Sequence, residues 1–177
     1  METKLLSHQE KQEVIKSYQK ALDYQILIET GTYRGGTVAD QLANFKHIHS
    51  IELGTDLYMF CIKRFKHAQN VTLYNGHSPN ILPLIMEQLT EPAIFWLDAH
   101  FSAGDTVFKD KWCPTLEELE VILKASKYPH LILIDDARDW YHENTYPTIE
   151  ELREFMNKIT TDYTFELKDD IMRIKLS

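Results

Sequence analysis

Residues 26–37 read Ile26-Leu27-Ile28-Glu29-Thr30-Gly31-Thr32-Tyr33-Arg34-Gly35-Gly36-Thr37, a short apolar run that ends in an acidic residue and a glycine-rich turn. The apolar run suits a strand buried on both faces of a parallel sheet. Gly31, Gly35 and Gly36 permit bends and a close backbone approach that side chains would block, and a helix that follows opens with amides lacking helical partners. A ligand is therefore able to lie against this turn. A dinucleotide fingerprint would read G-x-G-x-x-G; the chain has E-x-G-x-x-x-G instead. A plain strand-to-helix turn would use the same glycines, so the neighbouring elements have to decide.

Upstream, Ser7 and Glu10 form an S-x-x-E capping box, and Val14, Ile15, Tyr18 and Leu22 recur behind it at helical spacing. Residues 1–22 thus supply a helix ahead of the first strand. Downstream, strands are expected over 47–53, 71–74, 93–97 and 131–134, alternating with helices. The first of these helices covers 37–45, with Val38, Leu42 and Phe45 on one side, and the second covers 57–68, with Leu57, Phe60, Cys61 and Phe65 inward. Ile81, Leu82, Ile85 and Leu89 define the third, and the fourth is capped by Thr115 with Glu118. Thr148 and Glu151 cap the last, and strands 163–167 and 171–176 close the chain around Lys168-Asp169-Asp170 as an antiparallel hairpin. Alternating strands and helices imply an α/β domain with a mostly parallel, seven-stranded sheet and helices on both faces. A single domain over 1–177 is expected, since 177 residues with 44% hydrophobic content suit one core.

Composition narrows the partners. The net charge of −8 is spread along the chain, and the one basic cluster, Lys63-Arg64-Phe65-Lys66-His67, falls on a helix, so a nucleic acid is not expected. No apolar run approaches the ~20 residues that span a bilayer. Only Cys61 and Cys113 occur, without C-x-x-C spacing, and the first ten residues lack an apolar signal core. A soluble, cytoplasmic protein in a reducing compartment is the expectation; the oligomeric state stays open, a homodimer included.

The E-x-G-x-x-x-G turn and the order of elements resemble the Rossmann-like, class I S-adenosylmethionine-dependent methyltransferases, over about residues 20–177. The resemblance implies that fold, and a pocket in which Glu29, Gly31, Thr32, Tyr33, Arg34, Gly35, Gly36 and Thr37 adjoin the methionine part of S-adenosylmethionine. It also implies that Glu52, ending the second strand, holds the ribose diol, and that Asn75-Gly76-His77-Ser78 lines the adenine, Ser78 also being able to cap the next helix. The same resemblance implies Asp98 as a further cofactor contact.

In open α/β sheets ligands bind beyond the carboxyl ends of the strands, and four strand ends here are acidic: Glu29, Glu52, Asp98 and Asp135-Asp136. Carboxylates crowded at one edge repel unless cations or donors lie between them. Phe95-Trp96-Leu97-Asp98-Ala99-His100 together with Leu131-Ile132-Leu133-Ile134-Asp135-Asp136 resembles the divalent-metal site of metal-dependent O-methyltransferases, in particular the macrocin type that acts on sugar hydroxyls. That resemblance implies Asp98, Asp135 and Asp136 as ligands of Mg²⁺, whose preference is for hard oxygen donors. It also implies His100 as a general base beside Asp98, and a small-molecule or glycan acceptor. Metal-independent relatives would use Asp98 for the cofactor alone and Asp136 as a cap, and His100 would then be structural. His8, His47, His49, His67, His130 and His142 show no ligand spacing and read as surface or packing residues. Residues 101–112 read as a mobile lid, Trp140, Tyr141 and His142 either wall an acceptor pocket or anchor a loop, and Arg138 is placed to orient an acidic group. The rival readings are a nicotinamide-dependent oxidoreductase, with Glu52 on the ribose, and a non-catalytic cofactor-binding module.

Overall fold

Strands that are apolar on both sides need a helical layer on each face, and that demand sets the architecture. The computed structural model describes residues 4–98, 114–141 and 147–177. In chain order the elements are α1 (His8–Leu22), β1 (Ile26–Thr30), α2 (Gly36–Gln41), β2 (His47–Glu52), α3 (Thr55–Arg64), β3 (Val71–Asn75), α4 (Ser78–Gln88), β4 (Ala93–Leu97), α5 (Thr115–Ala125), β5 (Leu131–Ile134), α6 (Ile149–Asn157), β6 (Tyr163–Lys168) and β7 (Ile171–Leu176). They build one seven-stranded sheet in the order β3-β2-β1-β4-β5-β7-β6. β7 runs antiparallel to both β5 and β6. Every residue of β1, β4 and β5 is buried.

The alternation of side chains along each strand sorts the core into two layers. Leu27, Ile48, Ile94, Trp96, Leu131 and Leu133 face Ile15 of α1, Val38 of α2, and Cys61 and Phe65 beside α3. Ile28, Phe95, Ile132 and Ile134 face Leu82 and Ile85 of α4, Leu119 and Ile122 of α5, and Leu152 and Met156 of α6. Because the chain runs outward from β1 to β3 and then returns to β4, strand order reverses between β1 and β4, where a crevice opens at the carboxyl edge.

Two of the three expected caps are present as capping boxes, Ser7 with Glu10 and Thr148 with Glu151. The closing hairpin turns on Asp169 and Asp170, both at positive φ, as a two-residue type I′ turn requires. Other expectations need correction. α2 stops at Gln41, and Phe45 reaches the core from the loop beyond it. Phe60 is 49% exposed, because the buried stripe of α3 runs through Cys61 and on to Phe65. Thr115 does not cap α5: Pro114 holds that position, and Glu118 instead accepts a hydrogen bond from Ser78 of α4. The same bond takes Ser78 away from capping α4, whose N-cap is His77. Among the described residues no helix is long and apolar enough to cross a membrane.

Gly35 caps α2 at φ 74°, and a Cβ there would lie 2.4 Å from Phe65 Cε2. Gly35→Ala should therefore cost about 1–3 kcal/mol in urea unfolding, combining left-handed strain with overpacking. Phe65→Leu in the same chain should recover part of that cost, since only the clash and not the φ is relieved. Strictly additive losses in the double variant would show that Phe65 is not what the new methyl group meets.

Candidate active site at the carboxyl edge of the sheet

The glycine turn after β1 is held at unusual backbone angles. Gly31, Tyr33 and Gly35 have φ of 87°, 48° and 74°. The first of these lies in a region that favours glycine, and a non-glycine residue such as Tyr33 stays there only when its surroundings insist. They do so from both sides. The Tyr33 N–H donates to Glu52 Oε2 at 2.7 Å, and the Cys61 thiol donates to the Tyr33 carbonyl at 3.2 Å. Burial pushes the Cys61 thiol up to about 11, so it stays a donor. The N–H groups of Gly31 and Thr32 donate to the Ile51 carbonyl at 2.9 and 3.2 Å, tying the turn to β2.

Glu52 sits at the end of β2 with both carboxylate oxygens engaged, Oε2 by Tyr33 and Oε1 by the Gly54 N–H at 2.8 Å. A carboxylate offers about four lone-pair sites, so acceptor capacity remains for a diol beside the turn. Glu29 has a different part. It is buried below the turn and accepts from Ser50 Oγ at 2.5 Å, and Thr32 Oγ1 lies 2.6 Å from the same Ser50 oxygen. Desolvation, reinforced by the charges of Asp98 and Glu52 against the hydrogen bonds of Ser50 and Thr37, pushes the Glu29 carboxyl up to about 8. Thr37 is buried as well, and its hydroxyl accepts from Gln12 Nε2 at 3.1 Å. Gly76 and His77 follow β3, whose end is joined to Glu52 by the Gly76 N–H and by Asn75 Nδ2, both donating to the Glu52 carbonyl, at 3.0 and 2.9 Å.

The structure brings Asp98, Asp135 and Asp136 together: one ligand oxygen from each lies within 4.8 Å of the others. Strand register explains this. The ladder runs one bond past the strand ends, with the Asp98 N–H donating to Thr30 and the Asp135 N–H to Leu97. Asp98 and Asp135 therefore keep the alternation of Trp96 and Leu133 and point to the face covered by α1. Asp136 sits at φ 52°, a left-handed conformation that an aspartate tolerates better than most side chains. Three hard oxygen donors of this kind fit a Mg²⁺ ion.

One residue of this cluster has no counterpart in the sequence reading. Lys11 of α1 places its Nζ 2.6 Å from Asp135 Oδ2 and 3.0 Å from Asp136 Oδ1. Burial lowers the Lys11 pKa, but hydrogen bonds and charge from Asp135 and then Asp136 outweigh it and leave a net rise. Burial is also the main reason that Asp135 is pushed up, followed by the charges of Asp98 and Asp136, against the pull of Lys11. The two upward shifts are compatible, because one ammonium among three carboxylates leaves an excess of negative charge. Arg138, expected to face an acidic ligand, pairs with its own chain: Nη1 lies 2.9 Å from Asp136 Oδ1 and also bonds Asp170. Trp140 is fully buried in the core layer of α4 to α6, which makes it a loop anchor and not a pocket wall. His100, the proposed lid at 101–112, Cys113 and His142 lie outside the described residues, as does the side chain of Tyr141.

No protein-family model matches the sequence, and no curated protein matches it either. The fold does have solved relatives. The O-methyltransferase TomG from Streptomyces achromogenes, involved in tomaymycin synthesis and solved with S-adenosylmethionine, superposes with a TM-score of 0.68 at 15% identity, over 97% of this chain and 81% of its own. An O-methyltransferase from Bacillus cereus in complex with S-adenosylhomocysteine gives 0.69 at 13% identity, over 97% and 82%. The methyltransferase PaMTH1 of Podospora anserina, bound to S-adenosylhomocysteine, gives 0.65 at 13%, over 97% and 80%. The chain has the Rossmann-like methyltransferase fold.

The buried Glu29 yields a test of this geometry. Its folded carboxyl holds a proton up to about pH 8, against 4.5 for the ordinary group. The stability it contributes is complete below the unfolded pKa and is lost as pH rises through the folded one. Glu29→Gln, neutral throughout, should gain stability relative to the parent as pH rises from about 5 to about 9, by at most ~5 kcal/mol. Urea unfolding across that range measures it, and a pH-independent difference would mean that Glu29 ionises normally in the folded chain.

Proposed function

We propose that the chain is an S-adenosylmethionine-dependent O-methyltransferase that transfers the sulfonium methyl to a hydroxyl of a small polar acceptor, with a sugar or glycan unit as the acceptor class. The observation that carries the reading is the seat of Glu52, whose carboxylate binds the backbone of the glycine turn at the point where strand order reverses. A ribose diol there would meet the remaining lone pairs of Glu52, the methionine part would lie along Gly31 to Gly36, and the adenine would adjoin Asn75 to Ser78. The solved relatives of the fold carry S-adenosylmethionine or its product. The sugar hydroxyl rests on the spacing of Asp98 and Asp135-Asp136, which resembles the macrocin type.

Transfer is an in-line displacement at the methyl carbon, so the protein has to align the acceptor oxygen with that carbon and favour its deprotonated form. Asp98 follows β4 at the reversal point, between the cofactor turn and the Asp135-Asp136 pair. Asp98, Asp135 and Asp136 would hold Mg²⁺, which when bound lowers the pKa of an acceptor hydroxyl. His100, two residues beyond Asp98, would take the hydroxyl proton; an imidazole with an ordinary pKa near ~6.5 is suited to that at neutral pH.

A nicotinamide-dependent oxidoreductase is the rival enzyme. Its dinucleotide fold has the order 3-2-1-4-5-6 in a parallel sheet, whereas here the antiparallel β7 lies between β5 and β6. Calorimetry against S-adenosylhomocysteine, NAD and NADP separates the two, and binding of the first alone is expected. Gly31→Val, which forces a branched residue to φ near 87°, and Glu52→Ala should each weaken that binding. The loss for Glu52→Ala is about 1.5–3 kcal/mol for each charge-assisted hydrogen bond removed. Unchanged affinity in both variants would move the cofactor elsewhere.

The chemistry has its own test, with labelled methyl donor and a panel of sugar and other hydroxyl acceptors. Chelation should abolish transfer yet spare S-adenosylhomocysteine binding, and Mg²⁺ should restore it. His100→Ala should lower kcat by about 10²–10⁴-fold with little change in cofactor affinity. Full turnover in chelator would take the metal out of the reaction, and a near-normal kcat would make His100 structural.

A further inference from the structure

Lys11 is placed in the acidic cluster by contacts that have nothing to do with charge. Ile15, one turn further along α1, is buried in the core beneath β1 and β4. Gln12, the residue after Lys11, is buried too: its Nε2 donates to Thr37 Oγ1 at 3.1 Å, and Gln41 Nε2 donates to both the carbonyl and the Oε1 of Gln12 at 3.0 Å. These bonds clamp the first half of α1 onto α2. The Lys11 stem then has a fixed root beside the carboxyl edge, and its side chain is only 16% exposed.

The ammonium occupies oxygens that a divalent ion would need. Asp135 Oδ2 and Asp136 Oδ1 receive it at 2.6 and 3.0 Å. Metal–oxygen bonds of about 2.0–2.6 Å would bring an ion into the same space, so the two cations exclude each other by size as well as by charge. Arg138 is differently situated: its Nη1 meets the same Asp136 Oδ1 at 2.9 Å but also bonds Asp170, outside the cluster, so its guanidinium keeps a carboxylate partner if an ion takes that oxygen.

We propose that Lys11 is a tethered counter-ion that occupies the Asp135/Asp136 site without metal and exchanges with the divalent ion, so that each ion bound releases one lysine ammonium from the cluster. The proposal rests on the metal-dependent reading of Asp98, Asp135 and Asp136. Exchange needs only the flexible four-carbon stem to swing away, because Gln12 and Ile15 keep α1 docked. Its effect is on affinity: an ion that must displace a resident group binds with an apparent constant weakened by the fraction of sites that are open. Lys11 is thus a positioning residue, holding the carboxylates together until an ion replaces it.

Two measurements test this. Mn²⁺, a divalent stand-in visible by electron paramagnetic resonance, is titrated into the full chain, into Lys11→Met, and into Lys11→Met combined with Asp135→Asn. Lys11→Met should bind one ion about 10-fold or more tightly than the parent, and Asp135→Asn should abolish the gain. In the unmodified chain, which removes any doubt about folding of the variants, amine acylation read by mass spectrometry should report the release directly. Saturating Mn²⁺ should raise labelling of Lys11 several-fold while Lys16 and Lys20, on the same helix, stay unchanged. Equal Mn²⁺ affinity in parent and Lys11→Met, or unchanged Lys11 labelling at saturation, overturns the exchange while leaving the metal site standing. Absence of Mn²⁺ binding in every protein overturns the metal reading itself, and the role of Lys11 with it.

Discussion

Three carboxylates set side by side by two neighbouring strand ends cannot remain there without positive charge. Asp98, Asp135 and Asp136 meet because β4 and β5 run parallel in register and end together, and the alternation along both strands turns Asp98 and Asp135 to the same face. Lys11 supplies the cation from a helix 124 residues away in sequence, and Arg138 adds a second through Asp136. A salt bridge this far from solvent is a weak source of net stability, because desolvation offsets most of the attraction. What it secures is geometry: oxygens that would repel are held within reach of one ligand.

A second constraint acts at the other half of the crevice. The turn after β1 contains positive φ at Gly31, Tyr33 and Gly35, and Tyr33 pays the strain of a side chain in that region. Glu52 from β2 and Cys61 from α3 hold its N–H and its carbonyl. The carboxylate proposed to bind the ribose is also the one that shapes the turn, so a ligand held there would be linked to backbone conformation through a single side chain. Beneath them, Glu29 and Ser50 form a buried hydrogen-bonded floor that reaches Thr32.

Much of this is legible in the sequence. Short apolar runs bounded by turn residues mark all seven strands, the two capping boxes mark α1 and α6, and the Asp169-Asp170 turn marks the hairpin, because each of these signals is local. Errors came where a local rule met a tertiary competitor. Thr115 and Glu118 have the spacing of a capping box, yet burial against α4 gives Glu118 to Ser78. Arg138 follows the Asp-Asp pair and looks available to a ligand, yet the hairpin brings Asp170 beside it.

The sequence by itself determined the order of elements, the acidic residues at the strand ends and the glycine turn, since periodicity and backbone freedom are properties of short segments. Parity along the strands even contained the information that Asp98 and Asp135 share a face with Leu131 and Trp96. Only the tertiary structure decided which cation meets them. The period of α1 sets Lys11 on the stripe of Ile15, Tyr18 and Leu22 and turns Lys16 and Lys20 away from it; which carboxylates that stripe meets follows from Gln12 and Ile15 docking the helix against α2 and the sheet, a long-range packing event that no local pattern encodes.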